Sequence, residues 1–336
     1  MEAEAGAWTA RRVLVTGAGG FIGSHLVELL VREGADVRAM VRYNGRSDPG
    51  ALSEIERSAL SAVDVIHSDV TDAFAVRRAV AGVDVVFHLA ALVAIPYSYT
   101  APASFVHTNV VGTLHVLEAV RDFCVSRLVH TSTSETYGTA KYVPIDEGHP
   151  LQGQSPYSAS KIGADALAES FYRSFGIPVA TIRPFNTYGP RQSARAVIPT
   201  IAAQVLAGRD PVLLGDLRPI RDLTYVEDTV RAFIAVAATD ECVGSVTNVG
   251  AGAGIAIGEL ARLIAELAGR RDVNIVEDPQ RLRPRESEVM ELVADVTQAR
   301  QRFGWQPRVS LRDGLTMTID YVREHLGRYD AERYVL

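Results

Sequence analysis

The first 185 residues alternate between two patterns of hydrophobic positions. Short β-branched runs predict buried strands, and longer stretches with apolar residues three or four positions apart predict amphipathic helices. The predicted strands are Arg12–Thr16, Asp36–Val41, Asp64–His67, Val83–Ala90, Arg127–Ser132 and Val179–Arg183, and the clearest helices are Phe21–Glu33, Phe74–Ala81, Ser104–Phe123 and Tyr157–Phe175. Because strands that alternate with helices form parallel βαβ units, we predict an α/β protein with a Rossmann-type, doubly wound parallel sheet.

The pattern changes after Pro184. Proline and glycine become frequent, and loops separate shorter helical stretches, which are Ile198–Ala207, Ile257–Ala268 and Leu311–His325. This change predicts a smaller C-terminal α/β lobe that binds the substrate and is interleaved with the first domain. The predicted division is a flexible N-terminal segment (1–11), a mainly dinucleotide-binding domain (12–185) and a mainly substrate-binding lobe (186–330), with 222–250 returning to the Rossmann domain.

Composition limits the class of protein. With 47% hydrophobic and 22% charged residues, the 336-residue chain is typical of a soluble globular protein. The formal net charge of -6 argues against a nucleic-acid-binding surface. There is no signal-peptide pattern and no apolar run of about 18 residues, so we expect a cytoplasmic protein without a membrane partner. Cys124 and Cys242 lie in apolar segments without CxxC spacing, which predicts two buried thiols and no metal site.

A glycine-rich segment joins the first predicted strand to the first predicted helix and extends into that helix. Gly17 permits a tight turn, Gly20 lets the backbone approach a pyrophosphate, and Gly23 lets the helix pack closely on the strand. The helix N-terminus adds amide donors and a positive dipole. We therefore predict a dinucleotide site here, with contacts from Gly17, Gly20, Phe21, Ile22 and Gly23.

The end of the second strand bears on which cofactor is bound. NAD-binding strands commonly end in a carboxylate that holds the ribose, but this strand ends at Arg42 with no carboxylate. Arg42, assisted by Arg46, suits the 2′-phosphate of NADP, so NADP is the expected cofactor, while NAD held by other contacts stays open. Further cofactor contacts are predicted after the third and fourth strands, at Asp69, Val70, Leu89, Ala90 and Ala91.

Candidate catalytic residues lie on the fifth strand and the helix that follows it. Tyr157 and Lys161 are four residues apart, so their side chains share one helix face and can reach the same cofactor. A free phenol has a pKa of about 10. A neighbouring ammonium and a positive nicotinamide would favour the phenolate and permit proton exchange with a sugar hydroxyl. Thr133 supplies a hydroxyl that would bridge the tyrosine and the substrate.

Together these motifs resemble the extended short-chain dehydrogenases, of the NAD(P)-dependent epimerase/dehydratase family. The resemblance extends from Val13 to about His325. Besides the glycine loop and the Tyr157–Lys161 pair, it rests on His88–Ala91, Asn109–Thr113, Arg183–Pro190 and Arg221–Asp228. The resemblance implies that Thr133, Tyr157 and Lys161 are catalytic.

The acid at Glu135 suggests a subfamily. Sugar-nucleotide 4-epimerases usually lack an acid two positions after the threonine, whereas 4,6-dehydratases have one. The segment resembles the GDP-mannose and GDP-N-acetylglucosamine 4,6-dehydratases, and differs from the dTDP-glucose type, in which an aspartate stands where this chain has Ser134. A carboxylate could remove the C5 proton that a C4 ketone acidifies, so Glu135 is the fourth predicted catalytic residue. A 4-epimerase, a 5,6-dehydratase and a 3,5-epimerase stay open as alternatives.

The predicted partner is a nucleotide-diphosphate sugar. Asn186 resembles the family's contact to the diphosphate, and arginine forks suit phosphates. The predicted substrate contacts are Ser134, Asn186, Arg191, Arg221 and Arg283. The helices Ser104–Phe123 and Tyr157–Phe175 carry apolar residues on more than one side, and in relatives the equivalent pair forms a four-helix dimer interface. We therefore expect a homodimer, although both helices could equally belong to the core.

Overall fold

The computed structural model describes residues 7–329, which form an α/β fold. The strands are β1 (Arg12–Thr16), β2 (Asp36–Arg42), β3 (Val63–Ser68), β4 (Val85–His88), β5 (Arg127–Thr131), β6 (Val179–Pro184), β7 (Asn186–Tyr188), β8 (Val212–Leu214), β9 (Ile220–Tyr225), β10 (Val246–Val249), β11 (Gly254–Ala256), β12 (Ile275–Glu277) and β13 (Glu291–Leu292). The helices are α1 (Phe21–Arg32), α2 (Arg57–Ser61), α3 (Ala73–Val80), α4 (Ile95–Thr100), α5 (Pro102–Phe105), α6 (Gly112–Asp122), α7 (Pro156–Phe175), α8 (Val197–Leu206), α9 (Val226–Ala238), α10 (Ile257–Leu267), α11 (Thr297–Phe303) and α12 (Leu311–Glu324).

The main sheet has seven parallel strands in the order β10-β6-β5-β4-β1-β2-β3. The chain winds outward from β1 to β3 and then returns to β4, on the other side of β1. In such sheets ligands bind at the carboxyl ends of the strands, where the winding direction changes. The doubly wound fold is therefore confirmed, and the crevice beyond β1 and β4 is where a dinucleotide is expected.

Helices cover both faces of this sheet. Along β1, Val13 and Val15 belong to one buried cluster and Leu14 to another, because successive side chains of a strand point to opposite faces. Helices α1 and α9 pack on the first face, whereas α3, α6 and α7 pack on the second. Each fully buried aliphatic side chain contributes about 1.5–3 kcal/mol, so these two layers account for much of the stability of the domain.

The smaller lobe is built around β9. This strand pairs with β7, β11 and β13, and a separate pair, β8 and β12, lies beside it. Asp222 of β9 is fully buried and accepts hydrogen bonds from the backbone N–H groups of Ala251, Gly252 and Ala294. The chain then returns to the large domain, because α9 packs on the main sheet and β10 forms its edge. The lobe is thus interleaved with the large domain.

The C-terminal helix α12 reaches back to a segment that follows β2. Tyr321 donates a hydrogen bond to Glu54, and Arg328 forms a 2.7 Å ion pair with the same carboxylate. Glu54 ends a short 3-10 helix, Gly50–Glu54, in which the Ala51 nitrogen donates to the Gly19 carbonyl at 2.9 Å. The last helix therefore supports the segment that packs on the glycine loop.

The structure bears on the predicted N-terminal segment and on the two cysteines. The flexible segment 1–11 stays a prediction; within it, Trp8 is 2% exposed and its ring lies 5.8 Å from that of Phe87. Residues 1–6 and 330–336 lie outside the described residues. Cys242 is buried, but Cys124 is exposed, because it follows α6 in a left-handed conformation (φ 51°) that takes its thiol away from the core.

The predicted helix Ser104–Phe123 is confirmed as one helical stretch whose hydrogen-bond spacing changes along its length. It consists of α5, a π-helical turn over Val106–Val111, and α6. The apolar residues that suggested a second exposed face are in the core: Val116 and Leu117 are fully buried and Leu114 packs against them. These contacts fit the alternative of core helices, and the homodimer stays a prediction. Within residues 7–329, no helix has both the length and the apolar character to cross a bilayer.

Candidate active site

The glycine loop packs too closely on neighbouring backbone for side chains at two of its positions. A Cβ atom on Gly17 (φ 70°) would lie 2.8 Å from the Ala90 nitrogen, and one on Gly23 would lie 2.3 Å from the Gly17 carbonyl oxygen. Gly20 caps α1, and no side chain occupies the cap. The first amides of α1 are therefore available to an anion, as a pyrophosphate requires. This cradle fits a dinucleotide.

The part of the crevice beside the ends of β2 and β3 is exposed and lined by charged side chains. The Arg42 side chain, at the end of β2, is 79% exposed, and its Nε lies 3.9 Å from Asp69 Oδ2. The other oxygen of Asp69 accepts hydrogen bonds from the backbone and hydroxyl of Thr71. The neighbouring Val70 is buried in the core against Gly112, so only its backbone could face a cofactor.

The loops after β1 and β4 are tied together beside the crevice. The Leu89 nitrogen donates to the Thr16 carbonyl (3.2 Å), and the Ala90 nitrogen donates to the Thr16 hydroxyl (3.1 Å). Asn109, in the π-helical turn, exchanges two hydrogen bonds with the Leu92 backbone and donates to Ser160 of α7. Leu89, Ala90 and Ala91 are half-buried along this loop. Asn109 thus links the predicted cofactor loop to the predicted catalytic helix.

Helix α7 presents the predicted Tyr157–Lys161 pair on its first turns. Ser155 caps the helix through a reciprocal capping box with Ser158, which fixes where the helix starts. Lys161 Nζ donates to the Thr131 carbonyl at 2.6 Å, at the end of β5. Burial lowers the pKa of Lys161 to about 8, so a further decrease would remove its positive charge near neutral pH.

Tyr157 is buried. Burial raises the pKa of Tyr157, the nearby Thr133 hydroxyl lowers it, and the charges of Glu135 and Asp165 raise it again. In the protein alone the net direction is therefore upward, opposite to the direction expected from the sequence. A positive charge close to the phenol would lower the pKa of Tyr157. The structure thus brings Thr133, Glu135 and Tyr157 together.

Glu135 lies within electrostatic range of both Tyr157 and Arg221. It is half-buried on a short 3-10 helix, Ser134–Tyr137, whose N-cap is Thr133. Ser134 is buried beside it. Glu135 is thus placed at the junction of the predicted catalytic and substrate-binding groups.

Arg221 and Arg283 converge on one carboxylate. Glu288 lies 3.3 Å from Arg221 and 3.4 Å from Arg283. Burial lowers the pKa of Arg221, although a guanidinium stays charged at any working pH. The two guanidinium groups could also make charge-assisted hydrogen bonds to a phosphate group. Asn186 Oδ1 is buried without a hydrogen-bond partner among residues 7–329.

Arg191 is not part of this pair. It forms a 2.7 Å ion pair with Glu28 of α1, and its backbone is left-handed (φ 66°). Sequence reasoning also missed Glu288 and Ser287. The Ser287 hydroxyl lies 2.6 Å from that of Tyr99 and donates to the Gln154 carbonyl, which holds this segment across the cleft. These residues lie in a loop without periodicity, so no sequence signal predicted their contacts.

A glycine cradle at the switch point of the sheet, facing a buried Tyr–Lys pair, is typical of a nicotinamide-dependent enzyme of the short-chain dehydrogenase type. A family model described as GDP-mannose 4,6-dehydratase matches residues 14–318. The chain belongs to this family, within the extended short-chain dehydrogenases that include sugar epimerases and dehydratases. The family resemblance seen in the sequence is confirmed.

The similar proteins divide between two reactions. A dTDP-glucose 4,6-dehydratase of Streptomyces griseus is 35% identical over 93% of this chain and 94% of the relative. The structure of a dTDP-glucose 4,6-dehydratase of Streptomyces venezuelae with NAD bound has a TM-score of 0.82 and 31% identity, covering 94% of this chain and 98% of that one. A UDP-glucose 4-epimerase of Thermotoga maritima, solved with UDP-glucose, has a TM-score of 0.84 and 31% identity over 94% and 99%. This protein is accordingly an enzyme of the nucleotide-sugar dehydratase and epimerase superfamily.

Proposed function

We propose that this protein is a nucleotide-sugar 4,6-dehydratase that uses NADP and yields an NDP-4-keto-6-deoxy sugar. The observation that carries the proposal is Glu135. This carboxylate follows Thr133 by two positions, is half-buried, and interacts electrostatically with Tyr157 and Arg221. A 4-epimerase has no need of an acid at this point, whereas a dehydratase must move the C5 proton.

The residues suit three proton movements. Tyr157, with the Thr133 hydroxyl nearby, would take the proton of the C4 hydroxyl, and Lys161 would favour the phenolate through its charge. A nicotinamide dinucleotide held by the glycine cradle would supply the hydride chemistry that oxidises C4 and reduces C6. Glu135 would take the C5 proton, now acidified by the C4 ketone, and pass it to the C6 hydroxyl, which leaves as water. A proton from solvent would return to C5 and Tyr157 would release its proton to solvent, which completes the 4-keto-6-deoxy sugar.

The test of this function is the mass change of the sugar, with Glu135→Gln beside the wild type. We expect one of GDP-mannose, GDP-N-acetylglucosamine, UDP-N-acetylglucosamine and dTDP-glucose to lose one water by mass spectrometry, with a C6 methyl signal in proton NMR. Glu135→Gln should lose water formation by about 10²–10⁴-fold, the range for general acid–base groups. Reduction of the bound cofactor, which needs Tyr157, should continue.

Glu56→Gln is the matched control, because Glu56 is an exposed glutamate outside the cleft. Unchanged mass with inverted C4 would make the protein an epimerase and remove the role assigned to Glu135. Loss of water without a C6 methyl would instead indicate 5,6-dehydration.

The NADP preference is proposed from Arg42. Its exposed guanidinium at the end of β2 can turn from Asp69, 3.9 Å away, to a 2′-phosphate. We expect Arg42→Ala to weaken NADP binding about 10–100-fold, since hydrogen bonds to charged groups contribute about 1.5–3 kcal/mol, and to leave NAD binding nearly unchanged. Calorimetric titration with both cofactors measures this, with the exposed Arg57→Ala as control. Equal losses for NAD and NADP would contradict the proposal.

A further inference from the structure

A buried set of polar side chains lies directly behind the proposed catalytic residues. We call Asp165, His130, Ser132 and Arg183 the Asp165 cluster. Asp165 Oδ2 accepts from the Ser132 hydroxyl (2.5 Å) and from Arg183 (2.8 Å), Oδ1 lies 2.9 Å from His130 Nε2, and Arg183 Nε donates to Ser132 (3.1 Å). All four side chains are buried. Both oxygens of the carboxylate are therefore held in place.

The cluster is joined to the proposed site in two ways. Ser132 is the residue before Thr133, so its hydrogen bond to Asp165 fixes the backbone that presents the threonine hydroxyl. Asp165 also follows Lys161 by one turn of α7. Lys161 itself is anchored to the Thr131 carbonyl, one residue before Ser132. One carboxylate thus contacts the strand end that carries Thr133 and shares the helix face of Lys161.

Asp165 is the carboxylate whose charge raises the pKa of the buried Lys161. Arg183 of β6 is a second buried cation. His88 of β4 and His130 of β5 also lie within electrostatic range, and burial lowers the pKa of both imidazoles, so they are neutral. Burial alone would raise the pKa of Asp165, but the His130 hydrogen bond and the Arg183 charge lower it, and it stays ionised. A buried ammonium without a counter-charge loses its proton.

We propose that Asp165 is a positioning residue: its carboxylate is the counter-charge that keeps Lys161 protonated, and through Ser132 it fixes the segment that presents Thr133. This inference rests on the proposed roles of Lys161, Thr133 and Tyr157. It does not depend on whether the sugar is dehydrated or epimerised, because both reactions begin with hydride transfer from C4.

The chain offers an unusually direct test, because it contains only two lysines, Lys141 and Lys161. Lysine labelled with carbon-13 at Cε should give two NMR signals, and Lys161→Arg identifies the buried one. Lys141 is exposed and serves as an internal reference. In the wild type, the Lys161 signal should titrate at about 8. No substrate is needed, so this measurement stands even if the proposed reaction is wrong.

Three variants separate charge from positioning. In Asp165→Asn, which keeps the size of the side chain, we expect Lys161 to titrate about one pH unit lower, at the lower end of the effect of an opposite charge. In Asp165→Glu and in Ser132→Ala, which keep the charge, it should titrate as in the wild type. An unchanged Lys161 titration in folded Asp165→Asn, with Lys141 also unchanged, would overturn the counter-charge role.

Kinetics supply the second readout. The rate of cofactor reduction by a nucleotide sugar should fall about tenfold in Ser132→Ala without a change in its pH profile, since only the presentation of Thr133 is altered. In Asp165→Asn the alkaline limb should move to lower pH, because Lys161 then loses its proton earlier. A loss that is equal at all pH values would indicate a merely structural role. If Asp165→Asn does not fold, a wild-type rate in Ser132→Ala overturns the proposal.

Discussion

Replacing Tyr157 with phenylalanine is expected to slow reduction of the bound cofactor by about 10²–10⁴-fold. The phenol is the buried group that contacts Thr133, and without its oxygen the C4 hydroxyl has no acceptor for its proton as the hydride leaves. Stopped-flow absorbance of the reduced nicotinamide measures this step directly. The ring itself packs edge-on against Phe105 at 6.2 Å and is retained in the variant, so the fold should be intact.

Tyr142→Phe is the control for this prediction. Its hydroxyl is exposed and donates only to Asp146. The variant should reduce the cofactor at the wild-type rate. A Tyr157→Phe enzyme that is slowed less than tenfold would mean that another group accepts the proton, and the assignment of α7 as the catalytic helix would have to be abandoned.

Arg221→Ala should weaken nucleotide-sugar binding about 10–100-fold while leaving cofactor binding unchanged. The buried guanidinium can make charge-assisted hydrogen bonds to a diphosphate, at about 1.5–3 kcal/mol. In its absence, Glu288 keeps only Arg283 as a partner and adds negative charge where phosphates are expected. Calorimetric titration with GDP and UDP, the diphosphates without a sugar, measures the effect independently of the reaction.

Arg218→Ala is the matched control on the same segment. Arg218 is exposed and pairs with Asp216, so its removal should change diphosphate affinity less than twofold. Equal weakening of diphosphate binding in Arg221→Ala and Arg218→Ala would show that the affinity depends on overall positive charge and not on a direct contact with Arg221. Unchanged affinity in Arg221→Ala would remove the Arg221–Arg283 pair from the substrate site.

The sequence predicts the large domain closely because burial there follows simple periods. The bounds of β1 are as predicted, and α1 and α7 differ from the prediction by one residue at one end. Strands of a parallel sheet are buried on both faces, so their β-branched runs are conspicuous. The glycine loop and the Tyr157–Lys161 spacing are also local features, and a local pattern can be read directly from a sequence.

What the sequence did not predict depends on contacts between distant segments. Arg191 resembles a phosphate ligand in its motif, but its partner is Glu28, which lies 163 positions earlier. Glu288 and Ser287 belong to a loop whose partners are on other elements. The π-helical turn lies within a regular apolar pattern that gives no sign of it. At this turn Asn109 forms hydrogen bonds with the Leu92 backbone and with Ser160. Asp165 is different, because it lies four residues after Lys161 and a helix places such residues on the same face. Its position beside Lys161 could therefore have been predicted from the sequence.

The contact between α12 and the segment after β2 joins parts of the chain that are synthesised at different times. Tyr321 and Glu54 are separated by 267 positions, so the glycine loop is synthesised long before the helix that supports its neighbour. The strand β10, at the edge of the main sheet, is also added late. A chain still emerging from the ribosome can form the first strands but lacks both supports. The segment that packs on the glycine loop is therefore supported only after α12 has been synthesised.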